Sequence, residues 1–97
     1  MRISKYLQNE LVQASRAAFG NNKIVLFGSR ANDALKGGDF DLAVMGHLDP
    51  LEFRQGKVRF FKYLLLRDLD LPIDIVQYDS ATPLLKSEIQ KGIALEG

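Results

Sequence analysis

Two aspartates spaced two residues apart, Asp39 and Asp41, head the apolar run from Phe40 to Met45. In a strand, side chains two apart point to the same side of the sheet. A strand here therefore sets two carboxylates together at the mouth of the core, which is costly unless a cation neutralises them. Just upstream, the apolar run Ile24 to Phe27 ends in Gly28-Ser29. A strand that runs into a glycine and then a helical turn can aim backbone N–H groups at an anion, with the serine hydroxyl as a further donor. Taken singly, each feature also fits an ordinary tight turn or a solvated acid. Together they predict strands whose ends carry the chemistry.

The remaining elements follow from caps and spacing. Ser4 caps a helix over residues 4–19, where Leu7, Leu11, Ala14 and Ala18 recur at helical spacing. Gly20-Asn21-Asn22 stops it. Residues 30–36 have room for a helical turn or two before Gly37-Gly38. Asp49-Pro50-Leu51-Glu52 carries the cap, the first-turn proline and the capping-box acid of a long helix reaching about Leu69. At about 100° per residue, that helix bears two apolar faces: Leu51, Val58, Phe61, Leu65 and Leu69 on one, Phe53, Phe60 and Leu64 on the other. One covers the sheet. The other meets a neighbouring helix or a partner, and the second stripe is the hint of an interface, though it equally suits the interior or a homodimer.

Leu71-Pro72 breaks the long helix, and Ile73-Asp74-Ile75-Val76 reads as a third strand. Thr82-Pro83 starts a short helix to about Lys91, and Ile93-Ala94-Leu95 adds a last extended piece. The expected class is α/β, a small β-sheet with helices mainly on one face.

With 97 residues, the chain is expected to form one domain, residues 1–97. Thirteen basic residues against twelve acidic ones provide no global field for nucleic acid, so direct duplex DNA binding is not expected. The absence of cysteine removes disulfides, zinc–thiolate sites and thiol catalysis, and suits a cytoplasmic protein. No stretch approaches the roughly 20 apolar residues of a membrane span.

Asp74 is the most informative single residue. An unpaired carboxylate buried between Ile73 and Ile75 would cost several kcal/mol, so it must be paired, face water or face a metal. With Asp39 and Asp41 on a neighbouring strand, three carboxylates can converge on Mg²⁺, a hard cation that takes oxygen ligands. The alternative is an edge-strand acid in solvent. His47, the sole histidine, reads as a surface residue. Lys57, Arg59, Lys62 and Arg67 read as a solvated helix face.

Gly28-Ser29, Asp39-x-Asp41 and the later Asp74 resemble the signature of the DNA polymerase β-type nucleotidyltransferase superfamily. The phrases Leu26-Phe27-Gly28-Ser29-Arg30 and Gly37-Gly38-Asp39-Phe40-Asp41-Leu42 are similar to its MNT branch of minimal nucleotidyltransferases. The likeness spans roughly residues 20–80. Asn32-Asp33 stands where many relatives have arginine or glycine.

The resemblance implies a polymerase β-like fold with a small mixed sheet. It also implies that Gly28 and Ser29 hold the nucleotide triphosphate, with Arg30 either on phosphate or bracing the loop. Asp39, Asp41 and Asp74 would ligate two Mg²⁺ ions, Asp74 also helping to activate the attacking hydroxyl. The implied reaction moves AMP from ATP onto a hydroxyl. The implied partner is a separately encoded helical protein of the HEPN or substrate-binding type, this chain being its antitoxin; a homo-oligomer is the other possibility. The competing readings are an antitoxin that acts by binding alone, with a vestigial nucleotide site, and a transferase acting on a small molecule such as a drug.

Overall fold

The computed structural model describes residues 4–28 and 40–96. Ser29, Arg30 and Asp39, and the helical turn expected over residues 30–36, lie outside the described residues. Helix α1 (Lys5–Phe19) is followed by β1 (Ile24–Phe27), β2 (Phe40–Val44), α2 (Pro50–Leu65) and β3 (Ile73–Gln77). A 3-10 turn (Tyr78–Ser80), α3 (Pro83–Gln90) and β4 (Ile93–Leu95) complete the order.

The caps form as the residue types demand. Ser4 Oγ accepts from the Leu7 N–H at 3.1 Å. Asp49 Oδ1 accepts from the Glu52 N–H at 2.8 Å while the Glu52 side chain reaches back to the Asp49 N–H, completing a capping box. Thr82 Oγ1 accepts from the Leu85 N–H at 3.2 Å at the start of α3.

The four strands form one sheet in the order β3-β2-β1-β4. β1 runs antiparallel to both β2 and β4, whereas β2 and β3 are parallel, so the sheet is mixed. A parallel pair needs a crossover connection, and α2 supplies it. β1 lies between two strands and is buried along its whole length. No helix among the described residues is long and apolar enough to cross a membrane.

The larger core lies between one sheet face and helices α1 and α2, joining Leu11, Ala14 and Ala18 to Leu26, Leu42, Phe60 and Leu64. The other face carries Val25, Phe27 and Ala43, which pack on Ile89 of α3. Among the described residues, two helices therefore cover one face and a single short helix the other.

Helix α2 resolves one alternative left open by the sequence and departs from its reading in one respect. Phe53, Phe60 and Leu64, the stripe left open between an interface and the interior, take the interior: Phe60 and Leu64 are buried and Phe53 is half-buried. The reason lies in Gly56, on the same side of the helix. A Cβ there would overlap the Phe19 ring, so its absence lets α1 close onto α2. Phe19 then stacks on Phe53 at 5.8 Å and meets Phe60 at 6.3 Å between ring centroids. Leu51, Val58 and Leu65 are left on the outside, each more than half exposed.

The helix also ends at Leu65 instead of about Leu69. Asp68 takes a left-handed conformation with φ 58°. The Leu69 N–H then bonds back to the Leu64 carbonyl at 2.9 Å, and the Asp68 N–H to the Leu65 carbonyl at 3.0 Å. This is a Schellman closure with aspartate in the place that glycine usually takes.

Candidate active site at the sheet end

The C-terminal end of β1 and the N-terminal ends of β2 and β3 meet at one edge of the sheet. Asp41 pairs with Phe27 on one side and directly with Asp74 on the other. Paired residues of adjacent strands project to the same side, and neighbouring strands lie about 4.8 Å apart. Asp41 and Asp74 therefore stand next to each other on the face that α3 covers farther along, where Ala43 and Val76 follow two residues later. Asp41 is half-buried and Asp74 exposed.

Gly28 completes the described part of the site. It takes φ 76°, a conformation that suits glycine, and a Cβ on it would lie 2.5 Å from Asp41 Oδ2. The Asp41 carboxylate occupies the room that any side chain here would need. Of the residues singled out from sequence, Gly28, Asp41 and Asp74 are thus brought together. Ser29, Arg30 and Asp39 lie outside the described residues.

The donor set fits a hard divalent cation. Two neighbouring carboxylates offer oxygen alone, and Mg²⁺ commonly takes one or two carboxylates with water and phosphate oxygens completing its shell. No group of three His, Cys, Asp or Glu gathers among the described residues. A third carboxylate would have to come from Asp39.

The opposite end of the strands bears different chemistry. His47 is exposed, with Nδ1 2.7 Å from Asp79 Oδ2. Gln77, buried at the end of β3, donates its amide to the Leu48 carbonyl at 2.9 Å and ties the two strand ends together. A buried glutamine with such a structural role had no signature in the sequence. Beside it, Asp49 has its carboxyl held below the ordinary value, chiefly because the Glu52 backbone N–H bonds to the charged form. The basic residues of α2 are not one uniform solvated face: Arg59 donates to the Ala18 carbonyl at 3.1 Å, and Lys57 sits 5.7 Å from the Phe53 ring centroid.

Comparison with known proteins is consistent across sequence and structure. Residues 4–96 match the family model described as Polymerase beta, Nucleotidyltransferase. A crystal structure of a toxin-antitoxin with AMP-PNP superposes with a TM-score of 0.68 at 25% identity, covering 93% of this chain and 73% of that one. A toxin-antitoxin MntA-HpeT mutant gives the same score and coverage at 23% identity. A chain described as a nucleotidyltransferase gives 0.56 at 23% identity, covering 91% of this chain and 96% of that one. The latter two likenesses are of fold alone. No curated protein matches the sequence.

Proposed function

This chain belongs to the polymerase beta nucleotidyltransferase family, and from that premise we propose that it transfers AMP from ATP to a hydroxyl on a separately encoded helical HEPN-type protein, acting as the antitoxin of a toxin–antitoxin pair. The observation that carries the reading is the direct pairing of Asp41 with Asp74 beside Gly28. Nucleotidyl transfer needs closely placed carboxylates for its metal ions and a close backbone approach for its phosphates, and a carboxylate pair beside a glycine turn supports both.

In this reading, Asp39, Asp41 and Asp74 would hold two Mg²⁺ ions, which supply charge neutralisation at the phosphates. Gly28 and Ser29 present backbone N–H groups and the serine hydroxyl to the triphosphate, and Arg30 contacts phosphate or braces that loop. A carboxylate oxygen of Asp74 takes the proton of the acceptor hydroxyl. The acceptor oxygen bonds to the α-phosphorus, the bond to the bridging oxygen breaks, and pyrophosphate leaves. The toxin-antitoxin description of two structural neighbours supports a protein acceptor over a small molecule.

The test is ATP labelled at the α-phosphate, incubated with Mg²⁺, this protein and the product of the adjacent reading frame. Label should move to that product and vanish in an Asp41→Asn/Asp74→Asn variant. Unchanged labelling by the variant overturns the site. Full toxin neutralisation by the variant overturns transfer and leaves binding as the function.

A further inference from the structure

The outer face of α2 is an apolar line without an intramolecular partner. Leu51, Val58 and Leu65 recur every seven residues and are 60%, 65% and 56% exposed. At about 100° per residue they fall within roughly 40° of one another, a straight seam of the kind one helix offers another. Beside it runs a groove of about 740 Å³ whose lining includes Leu48, Phe53, Val58 and Phe61, with Arg54 and Lys57 among its polar residues.

Charge narrows what can cover this seam. Arg54 and Lys62 lie four residues either side of Val58, flanking it by about 40° on opposite sides. Neither has an acidic partner among the described residues. The acids near them are engaged: Glu52 and Asp49 bond to each other's backbone N–H groups, and Asp79 is paired with His47. A second copy of this chain, packed antiparallel on the seam, would bring two Arg54 and two Lys62 around one apolar line with no acid between them. Like charges so placed oppose association. A nucleic acid would satisfy the cations and leave three exposed aliphatic side chains unused.

We propose that this face docks an amphipathic helix of a different protein, one that sets an apolar stripe on Leu51, Val58 and Leu65 and acidic residues against Arg54 and Lys62. The proposal deepens the partner half of the reading above and rests on it for the existence of a separate protein. It makes no use of Asp41 or Asp74, so the two can fail separately.

The test uses a three-heptad helical peptide with a leucine seam flanked by glutamates, and the same peptide with lysines replacing the glutamates, titrated against the full chain by fluorescence anisotropy without nucleotide. The glutamate peptide should bind and the lysine peptide should not. Val58→Asp should weaken binding at least about tenfold, roughly 1.4 kcal/mol, with an unchanged melting temperature. Arg54→Glu/Lys62→Glu should transfer the preference to the lysine peptide. Asp41→Asn/Asp74→Asn should bind as the wild type does, even if it has lost every transfer activity. Failure of the glutamate peptide to bind, or equal binding of both peptides, overturns the proposal. So does a wild-type dimer in sedimentation that Val58→Asp dissolves, or binding of a single-stranded RNA that survives Val58→Asp.

Discussion

The Asp41 carboxylate fills the place that a Cβ on Gly28 would take, with Oδ2 2.5 Å from it. Two costs therefore meet in Gly28→Ala. One is steric and belongs to Asp41. The other is conformational, because φ 76° is a backbone state that L residues adopt at a cost of about 1–3 kcal/mol. Gly28→Ala should lower the melting temperature and abolish nucleotidyl transfer. In a double-mutant cycle with Asp41→Ala, the steric part should be recovered and the conformational part should remain. Full additivity, measured by denaturant unfolding, would show that the two residues do not compete for that space.

Asp41 and Asp74 pair across β2 and β3, so one divalent cation can reach both carboxylates. Mg²⁺ should then raise the melting temperature of the wild type by ligand linkage, about 2.7 kcal/mol at a concentration one hundred times the dissociation constant. Asp41→Asn and Asp74→Asn should each shrink that response. Thermal unfolding with and without EDTA measures the response, and an equal Mg²⁺ response in all three proteins would remove the metal from these residues.

What could be read in the sequence was local. The capping box at Asp49 and Glu52 and the charge inside Ile73-Asp74-Ile75 each declare themselves within a few residues, whereas the helix end expected near Pro72 is set earlier by the turn at Asp68. That Asp74 lies in strand register with Asp41 was not legible in the sequence, because pairing between strands more than thirty residues apart is not local information. The inward face of α2 was not local information. Phe60 and Val58 are both apolar, and nothing in the helix alone says which turns inward. Gly56 decides it by admitting Phe19 from α1, far back in the sequence, and a gap on one helix matters only when its filler on another is known.

The two α2 stripes should accordingly respond in opposite ways to truncation. Phe60 is 1% exposed and meets Phe61 edge-on at 5.5 Å as well as Phe19. Phe60→Ala should cost about 3–5 kcal/mol. Val58→Ala should stay within about 0.5 kcal/mol. Equal losses in urea unfolding would contradict the assignment of the inward face.

Gly56→Ala separates helix propensity from packing. Propensity alone favours alanine by about 1 kcal/mol in a helix interior. The overlap with Phe19 works against it, and overpacking of this kind costs about 1–3 kcal/mol. A net loss of stability is expected, and Phe19→Leu introduced with Gly56→Ala should restore part of it. A stabilised single variant would mean that α1 can withdraw from α2 freely.

Asp68 offers the converse case, in which glycine should help. Its φ of 58° closes the end of α2, and its N–H and that of Leu69 satisfy the Leu65 and Leu64 carbonyls. The left-handed conformation costs a typical L residue about 1–2 kcal/mol, with aspartate among the more tolerant. Asp68→Gly removes that strain but frees the unfolded chain, so the expected gain is a modest 0.5 kcal/mol or about that. Asp68→Val, β-branched and unable to adopt the turn cheaply, should instead lower the melting temperature by several degrees, about 4–8 °C for each kcal/mol lost in a chain of this size. A Gly variant less stable than the Val variant would rule out the Schellman closure as the device that ends the helix.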